Sequence, residues 1–465
     1  MSKTKKPRPE ELLLAIAQEN EMCHTTERIP VIVMDAGGKR RTVILPDKEF
    51  EALLAKRLYD RTGMISKGAW IKDAMRVVEA LCFEGPCRSI STRIGFLDKV
   101  IYIDLGDDTL QVVKVTAEGW SIEPTCPILF NRSPNVSPMP QPVRGGTLAE
   151  LRPLLNICDD DWPIVVAFLL ACWNPYGPFP LLVLTGQSGA TKSTVARLLQ
   201  GIVDSTFSMK HNREEVFAPP RTPEDLMVFA LHSWLLSFDN LTAISDSLSE
   251  ALCRLSTGGA TIARKLYTNS GLAKMTAQQP VILTSINDCI KAEDLRSRSL
   301  FLALEMVDPE KVIGEETLQQ RYGDIRPRVM GALLDCVASG LMNFQRTLPL
   351  PGNRLADMTR WLLAAEPATG LPPGTFAQAL GANRKQAAEE ALSSPLAEGV
   401  RKLASEGVRL KPEEVRDQLV DMGVSDVPSA SSLGWKLKNM ATEMAAVGVL
   451  VKKEGRYWRI ERLAA

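Results

Sequence analysis

The sequence predicts an α/β protein whose core is a three-layer parallel sheet, with a small α+β domain before the core and a helical domain ending in a β-hairpin after it. Apolar runs of strand length alternate with helical patterns, which is typical of parallel sheets covered by helices. Polar residues directly follow several runs, and such sheets bind ligands at the carboxyl ends of their strands. The apolar runs are Leu181–Leu184, Trp234–Phe238, Pro280–Ile286 and Leu300–Leu304.

Length and composition indicate a globular protein of several domains. At 465 residues the chain exceeds one ordinary hydrophobic core. Basic and acidic residues number 55 each, so any contact with nucleic acid has to come from local basic patches. Nine scattered cysteines without a CxxC pair, and only three histidines, indicate a reducing cytoplasm and argue against a zinc site. The apolar run Trp162–Trp173 is too short to span a bilayer, so we expect no membrane partner.

Residues 1–130 are predicted to form the small α+β domain, because helical and strand patterns follow one another there. Asp104, Asp107 and Asp108 lie beside two of the strands, and they indicate either a polar hairpin turn or a metal-binding carboxylate cluster. The helices are predicted at Pro9–Glu19, Asp47–Tyr59 and Gly68–Leu81, and the strands at Pro30–Val33, Thr42–Leu45, Val100–Leu105, Leu110–Val115 and Trp120–Glu123.

A Pro-, Ser- and Gly-rich stretch at residues 131–146 is predicted to be a linker, and residues 147–365 are predicted to form the core domain. The sequence Thr222-Pro223-Glu224-Asp225 is a strong helix start, because it combines an N-cap residue, a proline at the first position and acidic residues in the first turn. The core helices are predicted at Leu148–Leu155, Trp162–Cys172, Pro223–His232 and Met330–Phe344.

The first core strand runs into a loop of small residues and then into Lys192-Ser193-Thr194 at the start of a helix. This order is typical of loops that bind nucleotide phosphates, since loop N–H groups and a helix N-terminus point at the anion. Lys192 neutralises the outer phosphates, and the Ser193 hydroxyl can ligate Mg²⁺. An ordinary strand-to-helix turn with a surface lysine is the alternative. The residues of the predicted loop are Gly186, Gln187, Ser188, Gly189, Ala190, Thr191, Lys192, Ser193 and Thr194.

Thr191 departs from the phosphate-loop pattern, which has a glycine at that position. A side chain there is tolerated if the residue already has near-helical dihedral angles, so we expect that conformation for Thr191. Gly189 is then the residue that is free to take a positive φ angle.

Polar residues after the later strands complete a predicted ATPase site. Asp239 can hold Mg²⁺ through water, and Asn287 is a candidate sensor of the γ-phosphate. Asn240 cannot accept a proton, so either hydrolysis is slow or another carboxylate, Asp246 or Glu250, activates the water. Two further residues, Arg298 and then Arg296, are candidates for an arginine that reaches the nucleotide of a neighbouring subunit.

Residues 375–465 are predicted to form the last domain, in which helices precede a basic hairpin. This order resembles a winged helix that binds DNA, and the alternative is a winged helix that docks protein. The helices are predicted at Leu396–Ala404, Pro412–Met422 and Ser431–Val447, and the hairpin strands at Val449–Lys453 and Arg456–Ile460. The last helix carries an apolar stripe at spacings of four and three, which predicts its buried side: Leu433, Leu437, Met440, Met444 and Val447. The candidate DNA-binding residues are Lys436, Lys438, Lys452, Lys453, Arg456 and Arg459, beside Tyr457 and Trp458.

The motifs TGQSGATKST, LLSFDN, RKLYTNSG, VILTSIND and DLRSRSLFLALE, in this order, resemble the AAA+ ATPase core of superfamily 3-like helicases. The resemblance is greater still to the primase–helicase-like ATP-binding proteins of phages, plasmids and integrated elements. It implies a P-loop AAA+ core that binds ATP and Mg²⁺ between the subunits of a hexameric ring, with DNA through the centre. It also implies a pore hairpin at Thr261–Met275, whose candidate DNA contacts are Arg264, Lys265 and Lys274.

Three functions are consistent with these features. The first is an ATP-driven DNA helicase or translocase in the replication of a phage, plasmid or other mobile element. The second is an initiator that binds DNA and uses ATP as an assembly switch with little hydrolysis. The third is a regulatory or defence ATPase whose last domain docks protein. Asn240 separates the first two, because a site without a catalytic base hydrolyses slowly.

Overall fold

The protein is a mixed α/β fold built around a four-stranded parallel sheet. The computed structural model describes residues 7–35, 40–132, 137–264, 272–308, 310 and 312–463. No helix within these ranges is long and apolar enough to cross a membrane.

The first 130 residues contain three helices and several short strands. The strands predicted at Pro30–Val33 and Thr42–Leu45 are present as β2 and β3, which pair antiparallel, and β1 adds a third strand. A second antiparallel sheet has the order β5-β6-β7-β8. The elements are α1 (Pro9–Ala17), β1 (Glu21–His24), β2 (Pro30–Asp35), β3 (Arg40–Ile44), α2 (Lys48–Thr62), α3 (Gly68–Glu84), β4 (Ile90–Ser91), β5 (Ile94–Leu97), β6 (Val100–Asp104), β7 (Val112–Thr116), β8 (Gly119–Glu123) and β9 (Leu129–Phe130).

The acidic residues around the β6–β7 turn are used inside the domain. Asp104 is fully buried, accepts a hydrogen bond from the Gly106 N–H at 3.1 Å and forms an ion pair with Arg132. Asp107 accepts from the Thr109 hydroxyl at 2.6 Å. These contacts are those of a polar turn held by an ion pair.

Residues 148–368 contain the parallel sheet and the helices that cover it. Short 3₁₀ segments at Leu148–Leu154, Phe344–Arg346 and Glu366–Ala368 accompany them. The elements are α4 (Trp162–Cys172), β10 (Leu181–Thr185), α5 (Lys192–Val203), β11 (Phe207–Ser208), β12 (Arg213–Glu214), α6 (Pro223–His232), β13 (Leu236–Leu241), α7 (Asp246–Thr257), β14 (Gly259–Arg264), β15 (Leu272–Ala277), β16 (Val281–Ser285), α8 (Glu293–Arg296), β17 (Ser299–Ala303), α9 (Glu315–Asn343) and α10 (Ala356–Ala365).

The parallel sheet has the strand order β13-β16-β10-β17. Strand β10 lies inside the sheet, and Leu182 faces Ile282 of β16 on one side and Leu300 of β17 on the other. Because all four strands run in the same direction, their carboxyl ends meet at one edge. The residues that follow β10 and β16, and the last residues of β13, therefore lie close together.

Two core elements differ from the prediction. Strand β13 begins at Leu236 and continues through Asp239 and Asn240, with a register shift between Phe238 and Leu241. Helix α9 begins at Glu315, well before the predicted start at Met330, and contains Pro327. A proline inside a helix removes one hydrogen bond and normally predicts a helix end. Here the Pro327 carbonyl accepts a hydrogen bond from the Val143 N–H at 2.8 Å. Packing keeps the helix continuous past the proline.

The hydrophobic core crosses the predicted boundary near residue 130. Helices α1–α3 pack on β2 and β3 around a core of their own. Strands β5–β8 instead share the main core with α4 and α9. The described part of the predicted linker, residues 137–146, lies against this core: Met139 is buried, and its N–H donates to the Leu105 carbonyl at 2.7 Å.

The last part of the chain combines helices with a three-stranded antiparallel sheet of order β18-β20-β19. The predicted helix Ser431–Val447 is two helices that meet at Met440, although Leu433, Leu437 and Met444 are all buried as the stripe predicted. Strand β18 was not predicted, because three residues are too few to show alternation. The elements are α11 (Thr375–Ala391), α12 (Pro395–Glu406), β18 (Val408–Leu410), α13 (Pro412–Asp421), α14 (Ala430–Asn439), α15 (Ala441–Ala446), β19 (Val449–Glu454) and β20 (Tyr457–Arg462).

Candidate functional site

The predicted phosphate loop connects the end of β10 to the start of α5, at the carboxyl edge of the parallel sheet. Gly186 has a φ angle of 146°, and a Cβ there would lie 2.4 Å from the Leu304 carbonyl oxygen, so this position requires glycine. Gly189 has a φ angle of 90°, as predicted. Gln187 and Ser188 lie between these two glycines, and Ala190 lies between Gly189 and Thr191.

The expected near-helical conformation of Thr191 is wrong. Its φ angle is 59° and its ψ angle 23°, in the left-handed region. The residue thus takes a conformation suited to glycine despite a β-branched side chain, at a cost of about 1–2 kcal/mol. Its hydroxyl is buried without a hydrogen-bond partner among the described residues. The turn into α5 requires this conformation, and the surrounding fold imposes it on a threonine.

Lys192 and Ser193 begin α5 and point to different parts of the site. The Lys192 ammonium donates to the carbonyl of Gly186 at 2.6 Å and to that of Gln187 at 2.9 Å, so it lies across the loop. The Ser193 hydroxyl donates to Asp239, at 2.7 Å from Oδ1 and 2.9 Å from Oδ2. A hydroxyl oxygen and a carboxylate oxygen thus meet beside a fixed positive charge.

Asp239 is held by residues from two other elements. Besides Ser193, the hydroxyl of Thr284 in the neighbouring strand β16 donates to its carboxylate. Thr284 is 1% exposed. The sequence analysis did not identify Thr284; the signal was a hydroxyl in an otherwise apolar strand that ends one residue later.

Asn240 and Asn287 follow Asp239 and β16 at the same edge. Asn240 is exposed and has a φ angle of 62°, and its N–H donates to the Thr284 hydroxyl at 2.9 Å. The bulge in β13 therefore turns its side chain out of the strand. Asn287 is also exposed, and its carbonyl accepts a hydrogen bond from the Ser285 hydroxyl. The amide groups of both residues face solvent at the edge where Ser193 and Asp239 meet.

Two supporting residues were missed by the sequence analysis. The Asn156 amide donates to the carbonyl of Ala190 at 3.2 Å and to that of Glu305 at 2.8 Å, and so joins the loop to the segment that follows β17. Arg197 lies one turn after Ser193, donates to the Thr194 hydroxyl at 3.1 Å, and burial lowers the pKa of its guanidinium. Single polar residues in helices and turns carry no sequence pattern that would identify them.

Arg296 and Arg298 are bound within their own chain. Arg296 forms an ion pair with Asp288, donates to the Ile290 carbonyl at 2.6 Å and lies over the Phe301 ring. Arg298 is 8% exposed and forms an ion pair with Asp294 at 2.8 Å. Both precede β17, at the end of the sheet opposite the phosphate loop.

The predicted pore hairpin coincides with an antiparallel pair of strands, in which β14 pairs with β15 and Ile262 faces Lys274. Arg264 and Lys274 lie on these strands by their backbone. Lys265 lies outside the described residues.

The basic residues near the C-terminus lie on two faces rather than one. Because side chains alternate along a strand, Lys453 is on the side of its cross-strand neighbour Trp458, while Lys452 and Arg459 face the opposite side. Arg409 of β18, which was not predicted, faces Arg459 and extends that second row. Lys436 and Lys438 are exposed on α14, and Arg456 is exposed in the hairpin turn.

The aromatic residues beside these basic groups differ in exposure. Trp458 is 3% exposed and belongs to the domain core, so it is not available to a ligand. The Tyr457 ring is close to two guanidinium groups, those of Arg409 at 5.1 Å and Arg456 at 5.3 Å from its centroid. Trp435 on α14, which the sequence analysis did not identify, is 65% exposed. A large exposed aromatic residue on a basic helix is suited to stacking with a nucleic-acid base.

Comparisons with known proteins bear on this arrangement. Among solved structures, SCCmec type IV Cch, described as an active helicase, matches at a TM-score of 0.50 and 11% identity over 96% of this chain and 92% of that chain. The apo C-terminal region of NrS-1 matches at a TM-score of 0.44 and 11% identity over 98% of this chain and 100% of that one. No curated protein matches the sequence.

The family comparison concerns the segment that carries the candidate site. Residues 150–381 match the family described as actinomycete integrative conjugative element replication protein. This segment includes the phosphate loop, Asp239, Thr284 and both candidate arginines. The part of the chain that holds the site is therefore similar to the replication proteins of a class of mobile genetic element.

Proposed function

We propose that this protein is an ATP-dependent DNA helicase or translocase that acts in the replication of a mobile genetic element. The observation that carries the proposal is the meeting of Ser193 and Asp239 at 2.7 Å, one residue after Lys192 and at the carboxyl edge of a parallel sheet. The similarity of residues 150–381 to mobile-element replication proteins supports the biological role. The strand order and the loop support a P-loop AAA+ core.

The side chains fit ATP with Mg²⁺. Ser193 Oγ and the Asp239 carboxylate are oxygen ligands of the kind that Mg²⁺ prefers, and they lie close enough to share one ion's coordination shell. Lys192, whose ammonium bonds only loop carbonyls among the described residues, is free to exchange them for phosphate oxygens. Bound Mg²⁺ would neutralise charge on the phosphates. The protein's part is to bind and orient the phosphate chain between the loop and Asp239.

The weakest part of the hydrolytic site is the activation of water. Asn240 can orient a water molecule but cannot accept its proton. Of the carboxylates considered from the sequence, Asp246 is exposed at the start of α7, and Glu250 lies 3.6 Å from Arg254. We therefore expect slow ATP hydrolysis, unless DNA or a neighbouring subunit contributes a further group that activates the water.

Assembly into a ring, hexameric by analogy with the AAA+ family, is part of the proposal. In a ring, Arg296 or Arg298 would act on the nucleotide of the next subunit after release from Asp288 or Asp294. The β14–β15 hairpin would line the pore with Arg264, Lys265 and Lys274. The C-terminal domain would be a winged helix that holds DNA through Lys436, Lys438 and the hairpin.

A second function is favoured by specific observations. Asn240 stands where a base is needed, and both candidate arginines are held by internal carboxylates. An initiator in which ATP controls assembly on DNA, with little hydrolysis, would have these properties.

One experiment separates the two functions. The native mass and the ATPase rate are measured together, with and without single-stranded DNA, and the Lys192→Ala protein serves as the blank. A helicase or translocase gives a ring whose ATPase rate rises with DNA. Assembly on ATP with a rate that DNA leaves unchanged supports the initiator instead, and equal rates for wild type and Lys192→Ala reject both.

A further inference from the structure

The solvent-facing side of α14 is centred on an exposed tryptophan. Trp435 is 65% exposed, whereas Trp458, the other tryptophan of the C-terminal region, is buried in the core of that region. Because a helix turns by about 100° per residue, Trp435 lies about 160° around the helix from both Leu433 and Leu437, which are fully buried. The indole ring therefore projects from the middle of the exposed side of α14.

Three lysines surround the exposed ring. Lys436 follows it on one side of the helix and Lys438 lies on the other side, and both are exposed. Lys453 is the cross-strand neighbour of Trp458, and a Cβ on Gly434 of α14 would lie 3.9 Å from the Nε1 atom of that ring, so the hairpin brings this lysine beside α14. Within the described residues no ion pair joins any of the three to a carboxylate. The α14 face, as we name this surface, consists of Trp435, Lys436, Lys438 and Lys453.

The outer face of the C-terminal sheet also carries three basic residues, but it is largely neutralised. Arg459 pairs with Glu461 at 2.7 Å and lies 3.8 Å from Glu454. Arg409 pairs with Glu454 as well, at 3.2 Å. Lys452 is the third basic residue, so two carboxylates offset most of the positive charge there. The α14 face is therefore the more positive of the two, and it is the one that favours a polyanion.

The chemistry of tryptophan indicates which polyanion fits the α14 face. A helix that reads duplex DNA presents side chains that hydrogen-bond to base edges in the major groove. An indole has one donor and no acceptor, so it is poorly suited to this task. Its flat ring can instead stack on a base, but the bases of a duplex are already stacked on their neighbours. An exposed indole between lysines therefore matches an unpaired base between two phosphates.

We propose that the α14 face binds single-stranded DNA, with one unpaired base stacked on Trp435 and the flanking phosphates held by Lys436 and Lys438. The inference rests on the DNA-binding role proposed above for the C-terminal domain, and it names the form of DNA that the domain recognises. It does not depend on ATP hydrolysis. The domain would then hold a strand that has already been separated, rather than an origin duplex.

The test compares single-stranded oligo(dT) with a blunt dT·dA duplex of the same length, by fluorescence anisotropy of labelled DNA with the full chain and no ATP. Trp435→Leu keeps apolar bulk and removes the aromatic ring, whereas Trp435→Phe keeps a smaller ring. Val420→Ala is the matched control, because Val420 is an exposed apolar residue on α13 of the same region. Intrinsic tryptophan fluorescence is recorded in parallel titrations with unlabelled DNA, since stacking on a base quenches an indole.

We expect Trp435→Leu to lower the affinity for the single strand about tenfold, within the range for loss of one stacked base, and to change the affinity for the duplex less than about twofold. Trp435→Phe should retain most of the single-strand affinity and lose most of the quenching, because the stacked ring is then no longer an indole. Val420→Ala should change neither quantity.

Three results would overturn the inference alone. Equal losses of affinity for both forms of DNA in Trp435→Leu would mean that the ring contacts a feature common to both. Undiminished quenching in Trp435→Phe would mean that a different tryptophan meets the DNA. Unchanged single-strand affinity in Trp435→Leu would leave a protein partner as the occupant of the α14 face. Failure of the wild-type protein to bind either form of DNA would contradict the proposed DNA-binding function itself, and this inference with it.

Discussion

The phosphate loop and the basic C-terminal surface hold their candidate residues in opposite ways. At the loop the central side chains bond other parts of the site: Lys192 bonds loop carbonyls, and Ser193 and Thr284 both bond Asp239. On the C-terminal surface the lysines of α14 and β19 are exposed to solvent. Residues that share partners act as a unit, whereas separated charges contribute independently. Changes at the loop should therefore be all-or-none, and changes at the C-terminal surface should add.

Lys192→Ala should produce the largest effect. The substitution removes the ammonium that lies across the loop and would neutralise the outer phosphates. We expect ATP affinity to fall about a hundredfold, the upper range for losing a charge-assisted contact, and hydrolysis to be lost with it. Isothermal titration with ATP and Mg²⁺ measures the affinity. Lys210→Ala, an exposed lysine after α5, is the control, and unchanged affinity in Lys192→Ala would mean that the loop does not bind the nucleotide.

Asp239→Asn should separate binding from turnover. Asparagine keeps an oxygen for the Ser193 and Thr284 hydroxyls but removes the charge that would hold the metal shell. We expect turnover to fall about a hundredfold while ATP affinity changes less than about tenfold. Steady-state ATPase assays and nucleotide titration on the same preparation measure both. Equal losses in the two quantities would assign Asp239 to binding alone.

Trp435→Ala should weaken DNA binding and leave the fold intact, because the ring is 65% exposed. Stacking on an unpaired base is worth about 1–3 kcal/mol, so we expect about a tenfold loss of affinity for single-stranded DNA. Fluorescence anisotropy measures the affinity, and Trp435→Phe, which keeps an aromatic ring, should retain most of it. Trp458→Ala is the contrast: its ring is 3% exposed, so it should destabilise the domain by about 3–5 kcal/mol. If Trp435→Ala lowers stability as well, the exposed ring has a structural role.

The two regions also differ in how much the sequence could predict. The loop was predicted from local order alone, because a strand, small residues and Lys-Ser at a helix start occupy adjacent positions. Asn156 has no sequence signal, and the Thr284 hydroxyl in β16 gives only a weak one, because the roles of both residues depend on which strands and turns become neighbours in space. The conformation of Thr191 was predicted wrongly. Residue type indicates which φ and ψ angles are unstrained for a threonine, whereas the fold imposes the left-handed angles that the turn into α5 requires.

In the C-terminal region, the positions of the helices and strands were predicted better than the face on which each side chain lies. The stripe at Leu433, Leu437 and Met444 identified the buried side of the helices correctly. The single helix predicted across this stripe is in fact two helices that meet at Met440. The break was not predicted, because the apolar periodicity of the side chains continues through a local change in the backbone. Lys452 and Lys453 were both candidate DNA contacts, although adjacent residues of a strand face opposite sides.

The two faces of the C-terminal sheet can be distinguished by the salt dependence of DNA binding. Each phosphate contact that is lost should reduce the slope of log affinity against log salt by about one. If α14 enters the DNA, the pair Lys436→Ala and Lys438→Ala should reduce the slope by about two. The pair Lys452→Ala and Arg459→Ala, on the other face, should leave it nearly unchanged. Equal reductions from both pairs would show that DNA contacts both faces, and a larger reduction from the second pair would show that the outer face of the sheet binds it.

Thr191→Gly should have the smallest effect and is the most direct test of how the loop is built. Glycine takes the 59° φ angle without strain, which returns about 1–2 kcal/mol, and it loses about 0.5–1 kcal/mol through greater freedom in the unfolded chain. We therefore expect a stabilisation of about 0.5–1 kcal/mol, measured as a rise of about 1–3 °C in the midpoint of thermal unfolding. Thr191→Ala separates the two possible causes, because alanine keeps the left-handed strain but removes the buried, unpartnered hydroxyl. A rise in Thr191→Gly alone assigns the cost to the backbone, whereas an equal rise in both variants assigns it to the hydroxyl. A fall in stability for Thr191→Gly would mean that the threonine side chain stabilises the loop, and that the phosphate-loop pattern was altered here to the advantage of the folded chain.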